Sequence, residues 1–176
     1  MRNVALLGSR LVLGGYLAVH GAQKLFGSFD GPGLDAVGAG FESLGLTPGR
    51  PMAALAGATE LGGGVLTAAG IADPLGPLAI VGAMSVASVT HRANGPLSAN
   101  SGFELPLTNL AAAAAIAASG PGIYRLGPHL SRKLTAFSIL VGGTLAAVSV
   151  GKLLSAPPRS APAEDAAEGG SSDAEE

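Results

Sequence analysis

Apolar runs broken by single polar residues divide the chain into five long hydrophobic stretches. Residues 4–26 form the first, interrupted by Arg10, His20, Gln23 and Lys24. It is long enough to span a hydrocarbon core, which takes about 20 apolar residues per crossing. Residues 51–71 form the second, apolar except for Thr59 and Glu60, with Pro51 where a first-turn proline is tolerated. Asp73-Pro74 and Gly76-Pro77 read as a tight turn, after which residues 78–90 make a short third stretch that needs its flanks to reach across. A polar loop over residues 91–102 precedes the fourth, 104–119, which runs through an alanine block to Gly120-Pro121-Gly122. Residues 134–154 form the fifth, whose polar groups are hydroxyls and Lys152, a side chain able to snorkel to the interface. Between the first and second stretches, Leu34, Val37, Phe41 and Leu44 recur at helical spacing among Asp35 and Glu42, predicting a short helix lying at the interface.

Composition agrees with this pattern. Mean hydropathy is +0.46, and Asp, Glu, Lys and Arg make up 12% of the chain, about half the share of a soluble domain. The fold class predicted is all-α: an integral membrane helical bundle over residues 1–155, with a four-helix core, a fifth transmembrane helix and an acidic tail over 156–176. The tail is rich in Pro, Ala, Ser, Gly and Glu, a composition expected to stay disordered. A cleaved signal peptide is the weaker reading of the first stretch, because Arg10 would fall inside its apolar core and no small-x-small cleavage site follows. No basic stripe interleaved with aromatics is present, which discards nucleic-acid binding. Without cysteine there is no thiolate chemistry. Neither G-x-G-x-x-G nor G-x-x-x-x-G-K-[ST] occurs, so no nucleotide phosphate cradle is expected. Small residues spaced by four, Ala54, Ala58 and Gly62 and then Ala79, Ala83 and Ala87, predict close helix contacts along those stripes.

Glu60 lies nine positions after Pro51, about 13 Å along a helix, where an unpaired charge costs roughly 2.5 to 3.5 kcal/mol. Consecutive spans alternate direction. The end of the first, the start of the second, the end of the third and the start of the fourth therefore share one membrane face. His20 and Lys24, four apart on one stripe, Glu60, His91 with Arg92, and Glu104 all fall on that side. Ionisable groups converging in low dielectric are the usual setting for proton transfer or for holding a polar headgroup. The plainer alternative is that Glu60 pairs with Lys24 or Arg10 only to neutralise both, with His91, Arg92 and Glu104 wetted at the interface. Paired histidines on two helices also raise a haem, a less favoured reading that leaves Lys24 and Glu60 unexplained. No metal site is expected. His129 groups with Arg125, Arg132 and Lys133 at the opposite face as a solvated or lipid-headgroup patch.

At these residues the chain resembles the DoxX family of small bacterial membrane proteins. Arg10, Gly14-Gly15 and His20-Gly21-x-x-Lys24-Leu25-Phe26-Gly27 are similar to its first-helix signature, and Glu60-Leu61-Gly62-Gly63 to its second. Glu104-Leu105-Pro106-Leu107 and Gly120-Pro121-Gly122 resemble its fourth-helix region, so the likeness covers roughly residues 5 to 125. The usual Ser and Asp after the Gly-Pro-Gly element are replaced by Ile123-Tyr124-Arg125, which removes whatever role they carry. The resemblance implies a multi-pass protein of the bacterial cell membrane linked to redox and sulfur metabolism. It is similar to the membrane subunit of thiosulfate:quinone oxidoreductase and to anchors of oxidative-stress complexes with soluble redox enzymes. On that basis His20 and Lys24 are expected to hydrogen-bond a quinone headgroup while Glu60 relays protons, with His91, Glu104 and Arg10 completing the ligand site. The competing expectations are a non-catalytic scaffold for soluble redox enzymes and a small-solute or proton pathway. Whether the chain is itself an enzyme, and whether it forms a homo-oligomer, stays open at this point. With five spans the ten bases divide evenly between the two sides, so orientation rests on the dense loop group Arg125, Arg132 and Lys133, which favours a cytoplasmic N-terminus.

Overall fold

A computed structural model describes residues 1–155; the acidic tail expected over 156–176 lies outside the described residues. The helices are α1 (Arg2–Phe26), α2 (Gly33–Ser43), α3 (Gly49–Ala69), α4 (Leu75–Thr90), α5 (Glu104–Ser119) and α6 (Arg132–Ser155). Two single 3₁₀ turns, Arg92–Asn94 and Ser98–Asn100, shape the loop between α4 and α5. Among the described residues there is no strand. α1, α3 and α6 are long and apolar enough to cross a membrane, and α4 is a shorter apolar helix of 16 residues, about 24 Å at 1.5 Å per residue. The protein is a helical membrane bundle.

The helix ends follow local chemistry. Gly27 closes α1 in the left-handed region at φ 68, donating its N–H to the Gln23 carbonyl, and Gly70 closes α3 in the same way at φ 65. Pro51 sits in the first turn of α3, which begins at Gly49. Gly76-Pro77, expected as part of a turn, instead belongs to the first turn of α4. That correction has a simple cause: a proline so near a helix start removes an N–H that has no intrahelical acceptor anyway.

α1 and α3 run antiparallel with their backbones in contact. A Cβ at Gly14 would stand 2.5 Å from the Gly64 carbonyl oxygen, and one at Gly21 would collide with the backbone of Gly57 and Leu61. Each helix thus presents two glycines seven apart, one below the other on its inner face. The contact stripe on α3 is Ala53, Gly57, Glu60, Gly64 and Thr67, all buried. The stripe expected from spacing, Ala54, Ala58 and Gly62, is rotated away, and Gly62 faces open space. In lipid a helix is apolar all round, so small-residue spacing alone does not say which of two adjacent stripes makes the contact. Leu13 and Leu17 of α1, Ile80 and Met84 of α4, and Ala113 and Ile116 of α5 pack together as the core.

The spans alternate between two ends. At the first, Leu126 N–H donates to the Ala69 carbonyl (3.0 Å) and Leu130 N–H to the Asp73 carbonyl (2.8 Å), joining the α5–α6 loop to the α3–α4 turn. At the second, Lys152 Nζ donates to the Thr47 carbonyl (2.8 Å). Arg92 reaches the Leu153 carbonyl there at 3.5 Å. α6 therefore runs parallel to α4 and packs on it, while only Leu153 of its length is buried.

Candidate functional site

Lys24 stands in the last turn of α1 and Glu60 midway along α3, about a turn deeper. Helical Cα–Cβ bonds tilt toward the N-terminus, so in this antiparallel pair Lys24 leans inward and Glu60 leans outward, each toward the other. Lys24 Nζ donates to Glu60 Oε1. The whole Glu60 residue is 3% exposed, whereas the Lys24 side chain keeps 27% of its surface open. The second carboxylate oxygen, Glu60 Oε2, is buried with no hydrogen-bond partner.

The pair borders a half-open cavity of about 620 Å³ between α3, α4 and α6. Leu55, Ala79, Ala83, Val86, Phe137 and Val141 represent its mainly apolar wall, while Lys24, Glu60 and His91 supply its charged or titratable groups. The Ala79–Ala83–Ala87 stripe thus borders this space; Ala79 also meets α3, where a Cβ at Gly63 would come to 3.2 Å from it, and Ala83 also packs against the core. His91 is held by a hydrogen bond from Nδ1 to the Ser101 carbonyl at 2.8 Å, which leaves Nε2 unused by that contact.

The other residues expected to converge here do not line the cavity. His20 is half-buried on α1, stacked edge-on against Tyr16 with ring centroids 4.4 Å apart. Glu104 is exposed and accepts the Ser98 N–H at 2.9 Å, bracing the loop ahead of α5. Arg10 lies at the opposite end of the bundle. Its guanidinium, 1% exposed, donates from Nε to the Thr67 carbonyl (2.9 Å) and from Nη2 to the Ala68 carbonyl (2.8 Å). Nη1 donates to the carbonyls of Tyr124 (2.7 Å) and Pro121. Arg10 therefore clamps the C-terminus of α3 to the Gly-Pro-Gly loop, where a cation also complements the helix dipole. It is a structural group and not a neighbour of Glu60. The sequence held the signal for this, an arginine in the first span and a loop of exposed carbonyls after the fourth, but only the packing joins them.

At the same end, His129 Nδ1 lies 3.4 Å from Asp73 Oδ2. Burial pushes the Asp73 carboxyl above its ordinary 3.8, against the opposing pull of His129, Arg10 and Arg125. The pairing makes His129 part of a loop brace. Among the described residues no group of three or more His, Cys, Asp or Glu is arranged to hold a metal ion.

Comparison with known proteins finds no match among curated proteins and none among solved structures. The family model described as DoxX matches residues 5–93. That segment contains α1 from Ala5 onward, α2 to α4 and the Lys24–Glu60 pair, while Glu104-Leu105-Pro106-Leu107 and the Gly-Pro-Gly loop fall beyond it. With just over half of its length matched, and with the apolar helical bundle such a membrane family requires, the chain belongs to the DoxX family.

Proposed function

We propose that this protein is a redox-associated membrane subunit that takes a quinone-type molecule into the cavity between α3, α4 and α6. The observation that carries the reading is the Lys24–Glu60 pair at the wall of an otherwise mostly apolar space within the bundle. Its volume of about 620 Å³ lies in the range of small-molecule pockets, roughly 300–1,000 Å³. An ammonium carries three donors. Lys24 directs one at Glu60 and, being partly open, can offer another to a headgroup carbonyl. Glu60 can take up and release a proton beside the same headgroup, the geometry of a relay. Reduction of a quinone needs two electrons and two protons; in this reading the electrons come from a soluble partner that oxidises a sulfur or thiol compound.

The test uses the full chain in lipid nanodiscs with a short-chain quinone. Ala83→Phe, which fills the cavity, is expected to abolish quinone binding, and Glu60→Gln to depress quinone-linked turnover in membranes at least tenfold. Retention of both binding and turnover in the two variants overturns the proposal.

A further inference from the structure

Glu60 lines the cavity, and its Oε2 is an acceptor with no donor, covered in this structure so that a ligand reaches it by a turn of the carboxylate toward the space. Its sister oxygen already accepts from Lys24. A carboxylate paired with an ammonium offers only acceptors, so what complements Oε2 must bring a hydrogen. Four of the wall's five hydroxyls are committed elsewhere, and the fifth, Ser149, makes no hydrogen bond to Oε2. Thr59 donates to the Leu55 carbonyl (2.7 Å), Ser85 to Val81 (2.8 Å), Thr90 to Val86 (2.9 Å) and Ser138 to Leu134 (2.8 Å), each one turn back along its own helix. The rest of the wall is largely aliphatic or aromatic, so the complement to Oε2 is a molecule that is apolar over most of its surface and ends in a donor.

We infer that the cavity selects amphiphiles presenting a hydroxyl hydrogen to Glu60, taking a phenol or hydroquinone in preference to the matching ether or quinone. The inference rests on the cavity being the ligand site proposed above and adds to it which form of the ligand is held. The Lys24 ammonium can serve either form. Glu60 Oε2 discriminates, because against a carbonyl or ether oxygen it sets two acceptors face to face. A hydrogen bond to a charged group is strong enough to separate the two forms by roughly tenfold to a hundredfold in affinity. Tighter binding of the reduced form raises the reduction potential of a bound quinone couple by about 30 mV for each tenfold preference.

The experiment compares 4-nonylphenol with 4-nonylanisole, and decylubiquinol with decylubiquinone, on the full chain in phosphatidylcholine nanodiscs. Affinity is read from ligand-dependent thermal stabilisation, and the contact itself from the infrared carboxylate band that disappears in Glu60→Gln. The phenol and the quinol are expected to bind at least tenfold tighter than their partners and to shift that band. Glu60→Gln supplies a second readout. Lys24 needs an acceptor, so the glutamine turns its oxygen to Lys24 and its NH₂ to the cavity, and the preference reverses toward the ether and the quinone. Equal affinity of phenol and anisole with no band shift overturns the inference, as would be seen if water alone satisfies Oε2, while leaving the quinone site standing. Failure of both quinone forms to bind, with the phenol preference and band shift intact, overturns the quinone reading and supports the selectivity of Glu60.

Discussion

Two adjacent glycines in α1 should respond oppositely to the same substitution. At Gly14 a Cβ would lie 2.5 Å from the Gly64 carbonyl oxygen and 2.6 Å from the Ala68 backbone nitrogen, against 3.4 Å where ordinary contact begins. Both neighbours are backbone, so no side chain can swing aside and the helices must part. Overpacking of this kind costs about 1–3 kcal/mol. At Gly15 a Cβ meets nothing within 4 Å. Replacing glycine by alanine inside a helix stabilises by about 0.8–1.0 kcal/mol, a gain common to both positions. It cancels in the comparison. Gly14→Ala is therefore expected to be about 1–3 kcal/mol less stable than Gly15→Ala, a factor of roughly 5 to 150 in the unfolding equilibrium. Reversible unfolding of the full chain in mixed micelles, titrated with SDS and followed by far-ultraviolet circular dichroism, measures it. The parted helices also carry Lys24 and Glu60, so Gly14→Ala should weaken ligand binding as well. Gly14→Ala equal to or more stable than Gly15→Ala would refute the close antiparallel contact.

Removing Lys24 alone, as Lys24→Met, strands a buried carboxylate and should cost about 3–5 kcal/mol; the double variant with Glu60→Gln should recover most of that loss in the same titration. A single variant no worse than the double would show the two side chains unpaired. Arg10→Lys keeps the charge but has three donors for four carbonyls on two segments, and a loss above about 1.5 kcal/mol is expected. Stability unchanged in that variant would dissolve the clamp. Gly70→Ala places a methyl 2.6 Å from Arg10 Nη2 at a φ of +65, so it should be as damaging as loss of the clamp, with the thermal midpoint as readout. The folded chain holds the Asp73 proton more tightly than the unfolded chain. The stability from this group is thus fully present below pH 3.8 and lost as pH rises through the raised folded value. The thermal midpoint of wild type should accordingly fall relative to Asp73→Asn with rising pH, and a relative rise would refute the burial argument.

The hydropathy pattern determined much by itself. An apolar run in lipid must satisfy every backbone N–H and C=O internally, so the runs had to be helices, and their alternation put Lys24 and Glu60 toward one membrane face on neighbouring spans. The spacing of Leu34, Val37, Phe41 and Leu44 likewise located α2. The rotation of each helix about its axis was left open, because a span facing lipid on one side and protein on the other is apolar on both. Tertiary structure alone chose Gly57 and Gly64 over Ala58 and Gly62 as the contact stripe of α3. It also sent Arg10 to the Gly-Pro-Gly loop instead of to Glu60, and put His91 on the cavity wall without His20. The cavity is wholly of this second kind, since it arises from where α6 rests against α4 and no residue pattern encodes the space left between two helices.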